Sequence, residues 1–137
     1  MSAILRVAGL DLDLDRLLTQ LDFSPYLVRR RGEVDRRGSP YEHSSFNAEV
    51  SGADLDDADQ QIDDALAFVR RHEVSLLILA EFPGVDDRVL DFGIEESDVA
   101  AHVDSFPYEL LAALGRFRID LAVSRYPRTP PEESGSA

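Results

Sequence analysis

Cysteine is absent from the 137 residues, and so are lysine and tryptophan. The missing cysteine excludes disulfides, thiolate nucleophiles and cysteine-ligated metal together. Three histidines, His43, His72 and His102, are too few and too scattered to form a zinc site. Long apolar runs are also missing. The longest, Leu76-Leu77-Ile78-Leu79-Ala80, falls far short of the roughly 20 residues that span a bilayer. The first residues, Met-Ser-Ala-Ile-Leu-Arg, have no apolar stretch of signal-peptide length. These absences predict a cytoplasmic protein with no membrane partner and no cofactor.

Positive charge is scarce. Fourteen basic residues, all arginine, face 27 acidic ones, for a formal net charge of -13. Exclusive use of arginine follows from a GC-rich genome and needs no functional cause. The acidity argues against nucleic-acid binding, which depends on neutralising phosphates. It suits attraction to a basic partner, or simple solubility. With 44% hydrophobic and 30% charged residues, the chain has the composition of one globular domain, and this length buries roughly two-thirds of the unfolded surface.

The periodicities predict elements in the order β-α-β-β-α-β-β-α-β. Residues 3-9 read as a strand. Asp13 then caps a helix whose Leu14, Leu17, Leu18 and Leu21 form one stripe. Residues 26-31 read as a strand and 32-40 as a polar loop. Residues 43-50 alternate, with Phe46, Ala48 and Val50 on one face. The strongest helix is 55-71, with aspartates crowding its start and Arg70, Arg71 and His72 its end, as the helix dipole favours.

Residues 74-82, apolar on both faces, predict a central strand. It is expected to pair through the Pro83-Gly84 turn with a hairpin strand 88-94 that points Leu90, Phe92 and Ile94 inward. Residues 96-104 show no clear period. A helix follows over 107-114, with Pro107 in its first turn and Gly115 as its cap. A last strand over 116-123 turns Phe117, Ile119, Leu121 and Val123 inward. The domain is expected to cover 1-125. The Pro-, Ser- and Glu-rich tail from 126 has no apolar pattern and is expected to be poorly ordered.

The fold class is therefore α+β: a two-layer sandwich of about six mostly antiparallel strands with three helices on one face. The first six elements have the split-βαβ order of ferredoxin-like folds.

A glycine-ending first strand, Arg6-Val7-Ala8-Gly9, leads to Asp11-Leu12-Asp13, then Ser24-Pro25 and Arg31-Gly32-Glu33. Phe106-Pro107, Glu109-Leu110-Leu111, Leu114-Gly115 and Ile119-Asp120 come later. In this order the segments resemble the bacterial family called domain of unknown function 4279, over about residues 3-126. That family is expected to carry a tryptophan in the third strand, where Phe46 is the nearest aromatic here. The resemblance implies a small bacterial cytoplasmic domain without an established activity. Some small acidic bacterial domains of this general kind are suspected immunity proteins, which bind and neutralise a toxin.

No catalytic constellation emerges. The aspartates between 54 and 64 lack calcium-loop spacing. The adjacent pairs Asp86-Asp87 and Glu95-Glu96 point in different directions on extended chain. His43 near Ser44 and Ser45 lacks a nucleophile elbow. Arg29, Arg30, Arg31, Arg36 and Arg37 read either as a solvated strand end or as a local anion site, without a glycine-rich phosphate cradle.

Strand parity places Arg6, Arg29, Arg31, Asn47, Glu49, Asp91, Arg118 and Asp120 on the face opposite the helices, with Leu77 and Leu79 at its centre. An apolar centre with a charged rim has the anatomy of an interface. The expected function is a non-enzymatic protein-interaction module, immunity-like in character. The alternative is a small-anion or enzymatic site where Arg6, Arg29 and Arg118 converge. Covering Leu77 and Leu79 would contribute roughly 1.5–3 kcal/mol each. This favours a homodimer through that face.

Overall fold

β1 (Ala3–Gly9) alternates strictly: Ala3, Leu5 and Val7 are buried, while Arg6 is exposed and Ile4 and Ala8 are half-buried. The computed structural model describes residues 1-96 and 102-128. After β1, Asp13 caps α1 (Leu14–Leu18) by accepting a hydrogen bond from the Arg16 amide at 3.2 Å. Then come β2 (Leu27–Arg29), β3 (Ser44–Ser51), α2 (Ala58–Arg71), α3 (Glu73–Glu81), β4 (Asp87–Glu95), α4 (Tyr108–Arg116) and β5 (Asp120–Tyr126).

The sheet runs β2-β3-β1-β4-β5. The first four strands are antiparallel to their neighbours, with β3 inserted between β1 and β2. These four strands have the order of a split βαβ unit, but its fourth strand is β4 and not the segment 74-82 expected as the sixth element. β5 then joins β4 in parallel through the crossover helix α4, so the sheet is mixed.

Leu5, Val7, Phe46, Ala48, Leu90, Phe92 and Ile94 on one face share a single buried cluster with residues of all four helices, among them Leu17, Ile62, Leu79 and Leu110. The helices therefore form one layer and the sheet the other. The molecule is α+β as expected, and its described residues form five strands and four helices where about six and three were expected.

The expected strand 74-82 is instead α3. Its buried residues, Ser75, Leu76, Leu79 and Ala80, recur at i, i+1, i+4 and i+5, a helical stripe. An apolar run without polar gaps carries no period, and its leucines and alanine are strong helix formers. His72 closes α2 and opens α3, leaving one residue between the two helices. The strand 88-94 does bury Leu90, Phe92 and Ile94. Its partners are β1 and β5 rather than a hairpin mate.

A second correction concerns the end of α4. Gly115 lies inside the helix, and Arg118 supplies the left-handed residue, at φ 57°. The Ile119 amide bonds the Leu114 carbonyl at 2.8 Å and the Arg118 amide bonds that of Gly115 at 3.2 Å. That pair of bonds is a Schellman closure. Phe117 and Ile119 are buried as expected, but a helix cap delivers them, and the last strand begins only at Asp120. It continues through Tyr126, past the expected strand end at 123 and the expected domain limit at 125. The tail from 129 lies outside the described residues, as does 97-101 of the segment without a period; residues 102-107 form no regular element.

The α2–α3 junction is tied to the segment after α1 by a compact polar group. The Ser75 hydroxyl donates to Asp22 Oδ1 at 2.6 Å and accepts from the Asp22 amide at 2.8 Å. His72 Nδ1 lies 2.8 Å from the same carboxylate oxygen. The imidazole packs against Phe68 and Phe23, with ring centroids 4.5 and 5.2 Å away. The Ser75 hydrogen bond is the largest influence holding the Asp22 carboxyl below its ordinary 3.8; partial burial opposes it and His72 assists.

Two predictions follow from this geometry. Leu79→Ala, which opens a void under α3, lowers stability by about 2–5 kcal/mol, whereas Leu77→Ser on its exposed side costs under about 1 kcal/mol; urea unfolding measures both. A carboxyl with a depressed folded pKa contributes stability above its unfolded value and loses it as pH falls through the folded one. The urea midpoint of the native chain therefore drops below about pH 4, and Asp22→Asn makes that drop shallower.

Candidate functional site

One face of the sheet carries no helix among the described residues. Strand register assigns its side chains. Leu27, Asn47, Arg6, Val89 and Asp120 form one row across all five strands. The neighbouring row holds Glu49, Ile4, Asp91 and Ala122. At its centre Arg6 Nη2 contacts Asp91 Oδ2 at 2.8 Å. The Ser124 hydroxyl lies 2.8 and 2.9 Å from the two oxygens of Asp91. Only 9% of the Asp91 side chain is exposed, against 50% of Arg6. The carboxylate is thus anchored below the surface while the guanidinium stays accessible.

This face gathers six of the ten residues singled out as its members: Arg6, Arg29, Asn47, Glu49, Asp91 and Asp120. The other four lie elsewhere. Leu77 and Leu79 belong to α3, where Leu79 is fully buried in the core and Leu77 is 40% exposed on the helix surface. The apolar centre attributed to them does not exist, and the argument for a homodimer built on covering them falls with it. Arg118 sits in the turn after α4, held there by the left-handed cap. Arg31 follows β2, and its guanidinium reaches Asp11 Oδ1 and the Leu10 carbonyl, both at 3.2 Å. Arg6, Arg29 and Arg118 therefore do not form the anion site expected of them. The apolar part of the face comes instead from Ile4, Val89, Ala122 and Leu27, all half-buried.

The face is bounded at both ends. At one end, the chain between β2 and β3 forms a hairpin continued by the Val34–Pro40 bridge. The Arg29 guanidinium lies 5.6 Å from the centre of the Tyr41 ring. At the other end, Gly93 has no room for a side chain. A Cβ there would come within 3.1 Å of Tyr126 and 3.2 Å of Leu55. Beyond the ends of β4 and β5 lies a cleft of about 260 Å³, lined in part by Glu95, Glu96, His102 and Asp104. His102 Nε2 is 3.0 Å from Asp104 Oδ1 there. Sequence reading did not group these residues, because 102-107 is irregular chain with no period to assign a direction.

Asp91→Ala removes the acceptor of Ser124 and the partner of Arg6 at once. It is expected to lower stability by about 1–3 kcal/mol, the usual range for losing hydrogen bonds to a charged group. Chemical denaturation checks this, and a change within error would show the network to be energetically idle.

No family model matches the chain, and neither a curated protein nor a solved structure matches it.

Proposed function

We propose that the chain is a non-enzymatic interaction module that docks a protein partner across the open face of its sheet. The observation that carries this reading is the row Leu27-Asn47-Arg6-Val89-Asp120, running over five strands with no helix on it among the described residues. Half-buried apolar groups, Ile4, Val89 and Ala122, lie among Arg6, Glu49 and Asp120. Mixed apolar and polar ground of this kind is what non-obligate interfaces use.

The backbone beneath is a hydrogen-bonded sheet, and the Arg6–Asp91–Ser124 group fixes the central charge. Docking there orders few side chains, which keeps its entropic cost low. A net charge of -13 accelerates encounter with a basic partner. The resemblance to the domain of unknown function 4279 family belongs to this reading. So does an immunity-like role in the cytoplasm, in which the partner would be a toxin.

The test is affinity capture from the source cells with the native chain, followed by Asn47→Arg, Val89→Arg and the helix-side control Leu77→Ser. Both face variants are expected to lose the partner and the control to keep it. Retention by both face variants, or recovery of no partner under gentle conditions, overturns the proposal.

A further inference from the structure

We propose that the groove between β2 and the tip of the β2–β3 hairpin binds a small phosphate monoester, with Arg29, Arg36 and Arg37 holding the phosphate. This groove adjoins the open face and shares Leu27 and Arg29 with it, but the inference does not depend on partner docking. Five of the 14 arginines fall within residues 29-37, and the structure divides them into two groups. Arg30 is committed to Asp15 of α1, with Nη2 2.8 Å and Nε 3.3 Å from Oδ1. Arg31 is committed to Asp11 at 3.2 Å. These two contacts pin the base of the hairpin to the β1–α1 segment. Arg29, Arg36 and Arg37 form no ion pair among the described residues, although acidic residues outnumber basic ones almost two to one.

The three unpaired arginines line one groove with Leu27, Asp35 and Tyr41, of about 560 Å³. Tyr41 orients Arg29 through its ring face without neutralising it. Asp35 is the one carboxylate of the lining, and the turn already uses it: its Oδ1 accepts from the Arg37 amide at 2.8 Å and the Ser39 amide at 3.0 Å. Gly32 and Gly38, at φ 88° and 80°, shape the bends of the hairpin, which side-chain-bearing residues would strain.

Guanidinium groups present paired N–H donors in a planar fork, matched to the oxygens of a tetrahedral oxyanion. Three of them suit a phosphate dianion better than a single carboxylate. Leu27 and the Tyr41 ring add apolar surface that inorganic phosphate would leave unused, so the ligand carries an organic group.

Isothermal titration calorimetry and amide NMR shifts with inorganic phosphate, phenyl phosphate and benzoate test the site. Phenyl phosphate is expected to bind saturably, with shifts at residues 29, 36, 37 and 41, and about tenfold tighter than inorganic phosphate or benzoate. The double variant R36Q/R37Q should weaken it by about tenfold or more, while Arg125→Gln on β5 leaves it unchanged. Circular dichroism verifies that both variants stay folded. No saturable binding up to about 10 mM, or equal affinity in R36Q/R37Q, overturns the proposal. Equal affinity for inorganic and phenyl phosphate removes the organic group and with it the monoester assignment.

Discussion

The two-sidedness of β1 governs the rest of the structure. Its side chains point alternately to opposite faces, and it is hydrogen-bonded to β3 on one side and β4 on the other. Its parity is therefore imposed on the sheet: Phe46 beside Val7 and Leu90 beside Leu5 must face the core with their partners, while Asn47 and Val89 flank Arg6 on the open side. A shift of one residue would send Arg6 into the helical layer and Leu5 into water. Register and the chemistry of the open face are coupled by this requirement, because what the open face offers is whatever the buried face excludes.

The helical layer meets a different constraint. Between β3 and β4 the chain must recross the sheet, and it does so with two helices separated by one residue. His72 and Ser75 hold that break against Asp22, so a polar group fixes a junction that leucine packing alone would leave free to slide. The same region carries the most apolar run in the chain. Once helical, that run places Leu76 and Leu79 under the sheet and leaves Val74 and Leu77 outward.

Charge is distributed with a comparable division. Arg6, Arg30, Arg31 and Arg116 close ion pairs that link β1 to β4, the hairpin to α1 and the β1–α1 segment, and α4 to α3. The pairs of Arg30, Arg31 and Arg116 are exposed on both sides and add little stability, so their value is positional, whereas the Arg6 pair rests on the buried Asp91. The hairpin arginines without such pairs stand at the edge of the open face, beside the row to which we assign partner docking.

The amino-acid sequence by itself determined every strand parity that the structure displays. Phe46 and Ala48, Leu90 and Phe92, and Leu121 and Val123 are inward as their alternation requires, and α2 was legible from its aspartate-rich start and arginine-rich end. Six of the ten residues expected on the candidate face, Arg6, Arg29, Asn47, Glu49, Asp91 and Asp120, were legible for the same reason. What alternation could not decide was the backbone of segments without a polar–apolar period. Residues 74-82 carry no period that separates helix from strand, and α2 before them and the sheet above them act together with the helix propensity of their leucines to select the helix. Arg118 likewise has the parity of a strand residue, but the Leu114 carbonyl needs a partner and takes the Ile119 amide, bending Arg118 into the left-handed region. The pairing of Arg6 with Asp91, 85 positions apart in the chain, and the separation of committed from uncommitted arginines belong to the tertiary structure. Local sequence sets which way a side chain faces, whereas the element it meets there depends on strand order and helix packing, which are long-range.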